Sequence, residues 1–351
     1  MSGAGRFLPL DVLRGLTVAL MIVVNTPGDW NHVFAPLLHA EWNGFTPTDL
    51  VFPTFLFVVG NALAFALPKY ASMGGRAVLA KTARRAAVIF LLGFLLFWFP
   101  FTQPLAETRI PGVLQRIALC FVLATVVLHF VRERGALIFS VLALLGHWLV
   151  LAAFGDLTIQ GNTGTRLDMW LLGEHHLYRG EGTAFDPEGL LGTLPATVNV
   201  IAGYFAARYI QIRGVLGRMV LIGLVLIGVA MCWDLVLPVN KKLWTGSYVL
   251  LTVGLDLLLL PLLVYVIEIR GWRWGTYFFE VFGKNTLFIY LFAELAAIVL
   301  DKSRQYARLH EAVFTPLAAP KLASLLFALA FMLACWVVAY ALDRQRIYIK
   351  V

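Results

Sequence analysis

Ten stretches of almost unbroken apolar residues recur along the chain, near residues 11–26, 49–68, 84–100, 111–130, 135–154, 189–209, 216–237, 244–267, 277–299 and 320–342. Each is close to the roughly 20 residues that a helix needs to cross a hydrocarbon core of about 30 Å. Barrel strands are shorter and alternate in polarity, which these runs do not, so the runs predict helices. Of the 351 residues, 60% are apolar and only 14% charged, far too little polar surface for a soluble domain of this size. The expected fold class is all-α: a polytopic integral membrane protein of about ten transmembrane helices, one transmembrane domain over residues 1–351.

Several function classes drop out. The net charge of +8 points to loops facing anionic lipid rather than to nucleic acid. Cys120, Cys232 and Cys335 are scattered through apolar runs without ligand spacing, so no metal site is expected. No phosphate-binding glycine loop is present. Arg14 interrupts the first apolar run and no small-residue cleavage site follows it, so no cleavable signal peptide is expected. No internal repeat supports an inverted-repeat transporter.

Loop charge sets the orientation. Arg6, Arg76, Arg132, Arg213, Arg270, Arg344 and Lys350 lie on one set of loops, and Arg109, Arg166 and Lys302 on the other, sparser by roughly twofold. Both termini are therefore expected to be cytoplasmic. Loop 27–48 has no Lys or Arg and faces outward, as does the long loop 155–188; together they are expected to form the outward face of the site.

The stretch from His39 to Gly60, HAEWNGFTPTDLVFPTFLFVVG, joins a polar half at the membrane face to an apolar half inside it. Its polar half reads as the wall of an active site. Charged groups at membrane depth are costly and are usually paired or functional. Asp11 and Arg14 stand three apart, an ion pair by spacing. Asp256 lies in the middle of an apolar run, with Arg116 as its expected partner. Outer positions collect Asn25, His39, Asp49, Asp186, Glu188, Asn240 and Glu294; inner positions collect Arg14, Arg84, Arg85 and Lys284. A base and carboxylates at one end and cations at the other suit a neutral or cationic substrate outside and a polyanion inside. His32, His129, His147, His175 and His310 are read as structural.

Blocks along nearly the whole chain resemble the heparan-α-glucosaminide N-acetyltransferase family. They are Asp11-Val-Leu-Arg-Gly15, Val24-Asn25, His39-Ala-Glu-Trp-Asn-Gly44, Thr48-Asp-Leu-Val-Phe-Pro53, Phe57-Val-Val-Gly60 and Ile110-Pro-Gly-Val-Leu-Gln-Arg116. His176-Leu-Tyr178, Asp186-Pro-Glu-Gly-Leu-Leu-Gly-Thr193 and Pro238-Val-Asn-Lys-Lys-Leu-Trp244 with Ser247-Tyr248 follow. The resemblance implies transfer of acetyl from cytoplasmic acetyl-CoA to the amine of a terminal glucosamine across the membrane. It implies that His39 is the key catalytic residue and Asn25 its partner at the acetyl group. The animal enzyme's large extracytoplasmic N-terminal domain is expected to be absent, as in bacterial relatives. The segment from Asn25 to His39 is a few residues longer than the family pattern, and Asp256 has no counterpart in it.

An amine must lose a proton to attack a thioester, and imidazole, titrating ordinarily near about 6.5, suits the task. His39 serves either as that base or as an acetyl carrier. Asn25 would stabilise the oxyanion. Asp49 or Glu294 would orient His39 or hold the substrate ammonium. Arg14, Arg84, Arg85 and Lys284, with Asn285, would hold the coenzyme phosphates. On the acceptor side the expected residues are Trp42, Asp186, Glu188, Asn240 and Glu294, with Tyr178 and Trp244 as further stacking surfaces. The expected setting is a bacterial inner membrane, with no nucleic acid partner and with a homodimer left open. Two alternatives stand beside this reading: a transporter for amino sugars, and an envelope polysaccharide O-acetyltransferase.

Overall fold

The computed structural model describes residues 7–70, 73–212 and 214–349. Arg6, Arg213 and Lys350, which enter the loop-charge comparison, lie outside them. Among the described residues there are thirteen α-helices and no strand. In chain order they are α1 (Leu8–Asn25), α2 (Val51–Tyr70), α3 (Gly75–Trp98), α4 (Val113–Val126), α5 (Arg132–Phe154), α6 (Thr163–Leu172) and α7 (Thr193–Ile212). They continue with α8 (Leu216–Asp234), α9 (Gly246–Val264), α10 (Thr276–Lys284), α11 (Thr286–Lys302), α12 (Gln305–Leu309) and α13 (Pro320–Arg344).

Every one of the apolar runs falls on a helix, but the expected count of about ten crossings is not reached. Among the described residues, six helical stretches are long and apolar enough to cross a membrane: Leu8–Asn25, Pro47–Tyr70, Val113–Phe154, Leu216–Asp234, Gly246–Ile269 and Pro320–Arg344. A seventh is added if α10 and α11, bent by 86° at their junction, make one span. Three features account for the difference. Val113–Phe154 counts as one stretch of 42 residues but covers two apolar runs, and at about 1.5 Å per residue it is long enough for two crossings. Its halves meet at Arg132, whose φ of 62° lies in the left-handed region. Helix α3 carries Lys81, Arg84 and Arg85 within its run, and α7 is diluted by Thr197, Asn199 and Arg208. The class stands: this is a polytopic helical membrane protein.

The helices gather into two compact units. One holds the chain up to Ala40, Thr46–Phe55, and the chain from Leu262; the other holds Glu41–Phe45 and Leu56–Pro261. In the first, α1 packs most closely on α10. A Cβ at Gly15 would collide with the backbone of Phe279, so only glycine permits this approach. The break between α10 and α11 falls at Asn285, whose side chain donates to Ile347 O and accepts from Ile349 N, both at 2.9 Å. It thereby ties the chain after α13 to the bend. A turn of 3₁₀ helix, Pro47–Leu50, precedes α2.

In the second unit the same device sets α2 against α7: a Cβ at Gly60 would meet the carbonyl of Val200. Helices α4 and α5 both pack on α7, and α3 lies along α4. The residues between α5 and α7 are organised rather than slack. Asn162 caps α6 by accepting from Thr165 N at 2.8 Å, and its amide donates to Thr158 O and Ile159 O.

Candidate active site

Thr46-Pro47-Thr48-Asp49 places a turn-forming Pro directly after a β-branched residue, and the chain enters its helix there with a capping box between Thr46 and Asp49. That turn carries Asp49 into the interior, where its side chain is 1% exposed. Its Oδ2 accepts from the backbone N–H of Ala40 at 3.1 Å and of Thr46 at 3.0 Å. The Thr46 hydroxyl lies 3.1 Å from the same oxygen and 2.6 Å from Leu38 O. The other oxygen, Oδ1, lies 2.7 Å from Nδ1 of His39. The imidazole itself is 45% exposed. With Nδ1 committed to the carboxylate, chemistry at the ring falls to Nε2. A carboxylate in this place fixes the tautomer and the ring's orientation and stabilises the imidazolium once it forms.

Asn25 donates to Glu294 at 3.4 Å. Arg14 makes the expected contact with Asp11 at 3.4 Å and also donates to Gly283 O at 3.3 Å. Lys284 is bracketed by Glu280 at 2.9 Å and Asp343 at 3.0 Å. Asp343 accepts in addition from Tyr277 and Tyr348, each at 3.0 Å. Arg14, Lys284 and Asn285 are thus engaged by the fold: two cations stand among three carboxylates, and the amide of Asn285 is used at both ends. Sequence reasoning missed Asp343, because nothing in its position at the end of α13 points to a lysine 59 residues away.

Arg84 and Arg85 present another picture. Both are exposed on α3, at i and i+4 or i+3 from Lys81, and neither makes an ion pair among the described residues. The Arg85 guanidinium lies 4.9 Å from the Phe121 ring centre. These three cations on one helix face are the donors here that match phosphate oxygens in kind and charge.

In the second unit Asp186 and Glu188 both face Arg109, a residue that loop charge alone did not single out. Arg109 forks onto Asp186 at 2.8 and 2.7 Å and reaches Glu188 at 2.6 Å. Its guanidinium is sandwiched between the rings of Phe97 and Tyr178, at 4.8 and 4.7 Å. Burial pushes the Asp186 carboxyl up from the usual range against Arg109, whereas at Glu188 burial is outweighed by Arg109, Arg116 and Lys241 and the carboxyl is held low. Burial also pushes Asp168 up, to about 6, although Leu190 N donates to it at 2.9 Å. Arg116, 1% exposed, donates to Gly189 O at 2.8 Å and lies 4.8 Å from the Trp244 ring. Its acidic neighbours are Glu188, Asp186 and Asp168. Asp256 is fully buried in α9.

Trp42 donates from its indole to Leu157 O at 2.8 Å. Asn240 donates to Asn43 at 3.1 Å and accepts from Leu243 N at 2.8 Å. Tyr178 is exposed and Trp244 is buried, its indole donating to Asn199 at 3.2 Å, so of these two rings only Tyr178 faces solvent.

An exposed imidazole is thus seated on a buried, hydrogen-bonded carboxylate in a multi-pass helical membrane protein. The model of the family described as "Heparan-alpha-glucosaminide N-acetyltransferase, catalytic" matches residues 6–211. The chain belongs to that family. Two relatives bear the name "Heparan-alpha-glucosaminide N-acetyltransferase". The mouse protein is 28% identical over 355 residues, which cover 83% of this chain and 53% of its own. The human protein is 28% identical over 350 residues, covering 82% and 52%. The chain thus spans about half the length of these curated relatives.

Proposed function

We propose that this protein transfers an acetyl group from acetyl-CoA to the amine of a terminal glucosamine or related amino sugar. The observation that carries the reading is the 2.7 Å pairing of His39 with Asp49, together with the name of the family. Bound acetyl-CoA supplies the acyl group as a thioester. Nε2 of His39 takes the proton that the attacking amine loses as the new C–N bond forms and the C–S bond breaks. Asp49 keeps Nδ1–H directed at itself, so that Nε2 carries the lone pair, and stabilises the charge the ring acquires. Asn25, at the end of α1, is the proposed donor to the oxyanion.

Lys81, Arg84 and Arg85 are proposed to hold the coenzyme phosphates, since Arg14 and Lys284 are neutralised by carboxylates. The loop-charge bias supports a cytoplasmic donor and an outward acceptor. A bacterial inner membrane is the proposed setting.

The test is acetyl transfer by the purified protein with labelled acetyl-CoA and a panel of amino sugars. The parent is expected to give N-acetylated product, and His39→Ala to lose at least about a hundredfold in kcat, or about 2.7 kcal/mol of barrier, while remaining folded. Uptake of a free amino sugar that needs no acetyl-CoA and yields no product would overturn the proposal in favour of a transporter. A labelled enzyme isolated without acceptor, lost in His39→Ala, would identify His39 as a carrier rather than a base.

A further inference from the structure

Within the second unit the indole of Trp42 forms one wall of an open pocket of about 400 Å³. Thr158, Ile159, Gln160, Glu181, Gly182 and Thr183 complete it. The volume falls in the range of small-molecule sites, roughly 300–1,000 Å³. None of the residues beyond Trp42 belongs to the charge clusters described above.

The pocket is built, not incidental. The Trp42 ring is pinned by its hydrogen bond to Leu157 O and by an edge contact with Phe185, centres 5.6 Å apart and planes at 61°. Lys242 joins two of the walls: its ammonium donates at 2.7 Å both to Glu41 O, beside Trp42, and to Glu181. Gly44 N, which donates to Val239 O at 2.8 Å, and the Asn43–Asn240 bond anchor the same turn. On the third wall the Thr158 hydroxyl is spent on Asp156 at 2.6 Å, which fixes that turn, and Gln160 stands exposed beside it. A preorganised wall loses little freedom on binding.

The chemistry of the lining selects its ligand. A pyranose has a flat C–H face and a rim of hydroxyls. An indole takes the first, and an amide, a threonine and a carboxylate oxygen take the second. Glu181 is the one ionisable group in the lining and is neutralised by Lys242. Among the described residues, no Lys or Arg lines the pocket to meet a sulfate or a uronate.

We infer that this pocket is a glycan subsite that holds an uncharged sugar unit of the acceptor next to the one that carries the amine. The inference rests on the proposed acetyl transfer only for the identity of the neighbouring unit: Trp42 lies three residues along the chain from His39.

The experiment has two arms on purified full-length protein. In the first, acetyl transfer to glucosamine is compared with transfer to a disaccharide of glucosamine linked to a neutral hexose. The parent is expected to favour the disaccharide by at least tenfold in kcat/KM. In Gln160→Ala and Trp42→Ala that ratio should fall towards one. In the second arm, binding of the corresponding non-reactive disaccharide, already N-acetylated, is measured by calorimetry without acetyl-CoA. It is expected to weaken about tenfold or more in both variants, and an N-sulfated or uronate-bearing disaccharide should bind more weakly than the neutral one.

A parent that transfers acetyl with no preference for the disaccharide overturns the subsite and leaves the function standing. A parent that transfers nothing yet binds the neutral disaccharide through Gln160 and Trp42 keeps the subsite and overturns the function. Tighter binding of the acidic disaccharide overturns the assignment to an uncharged sugar.

Discussion

Oδ1 of Asp49 lies 2.7 Å from Nδ1 of His39 while its second oxygen is fixed by two backbone N–H groups, those of Ala40 and Thr46. The histidine is thereby oriented by an element that cannot easily move. Asp49→Asn should keep the shape of the turn but present an amide to Nδ1, stabilising the wrong tautomer and removing the countercharge for the imidazolium. The expected result is a loss of at least about a hundredfold in kcat with KM for the amino sugar little changed. Because the two residues act as one device, the double variant with His39→Ala should be no worse than His39→Ala alone. Additive losses would refute the dyad. Thermal melting alongside separates this from the loss of the capping box, which is worth about 1 kcal/mol.

This pairing was partly legible in the sequence, because the partners lie ten residues apart around one turn, and because Thr46 and Pro47 mark where the helix begins. The helical runs were legible for the same local reason. Three features were not. The clamp of Arg109 on Asp186 and Glu188 joins residues 77 and 79 positions apart, and a lone arginine in an outer loop carries no sign of it. The bracketing of Lys284 by Asp343 is likewise long-range. The bend at Asn285 falls inside an apolar run whose hydropathy continues on both sides, so composition predicts one straight helix where the chain turns by 86°.

Arg109 makes the heaviest demand on the fold of the second unit. It joins the residues before α4 to those before α7, with two carboxylates and two aromatic rings around one guanidinium. Arg109→Ala leaves Asp186 buried without its cation, which typically costs about 3–5 kcal/mol, and leaves Glu188 with only Arg116 and Lys241. Arg109→Lys keeps the charge but loses the fork, and should fall between the two. Size-exclusion profiles and melting temperatures of the detergent-solubilised variants check the order parent, Lys, Ala. An Arg109→Ala protein as stable as the parent, with acceptor KM raised instead, would return Asp186 and Glu188 to the substrate.

Asp168 makes a pH prediction of definite sign. Burial raises its titration to about 6 from 3.8. Between those values the folded protein holds a proton that the unfolded chain releases. Stability is therefore greatest at the low end, falls as pH rises through that window, and stays lower above it. Asp168→Asn keeps an acceptor for Leu190 N and removes the titration. The variant should melt with the parent near pH 4 and above it at pH 7.5, by at most about 3 kcal/mol. Melting curves at the two pH values check this; a parent that gains stability between pH 4 and 6 relative to the variant has the opposite sign and refutes it.

The proposed phosphate site on α3 rests on Arg84 and Arg85. Exposed cations on one face of α3 attract a polyanion through charge that salt screens, with a Debye length of about 8 Å at physiological ionic strength. Arg84→Gln with Arg85→Gln should raise KM for acetyl-CoA by about tenfold or more and leave KM for the amino sugar in place. The parent's KM for acetyl-CoA should rise with added salt, and the double variant's should rise less. Lys284→Gln offers the contrast. Since Lys284 is bracketed by Glu280 and Asp343, its removal should lower the melting temperature before it touches coenzyme affinity. A Lys284→Gln protein that melts normally but binds acetyl-CoA poorly would move the phosphate site from α3 to the junction of α10 and α11.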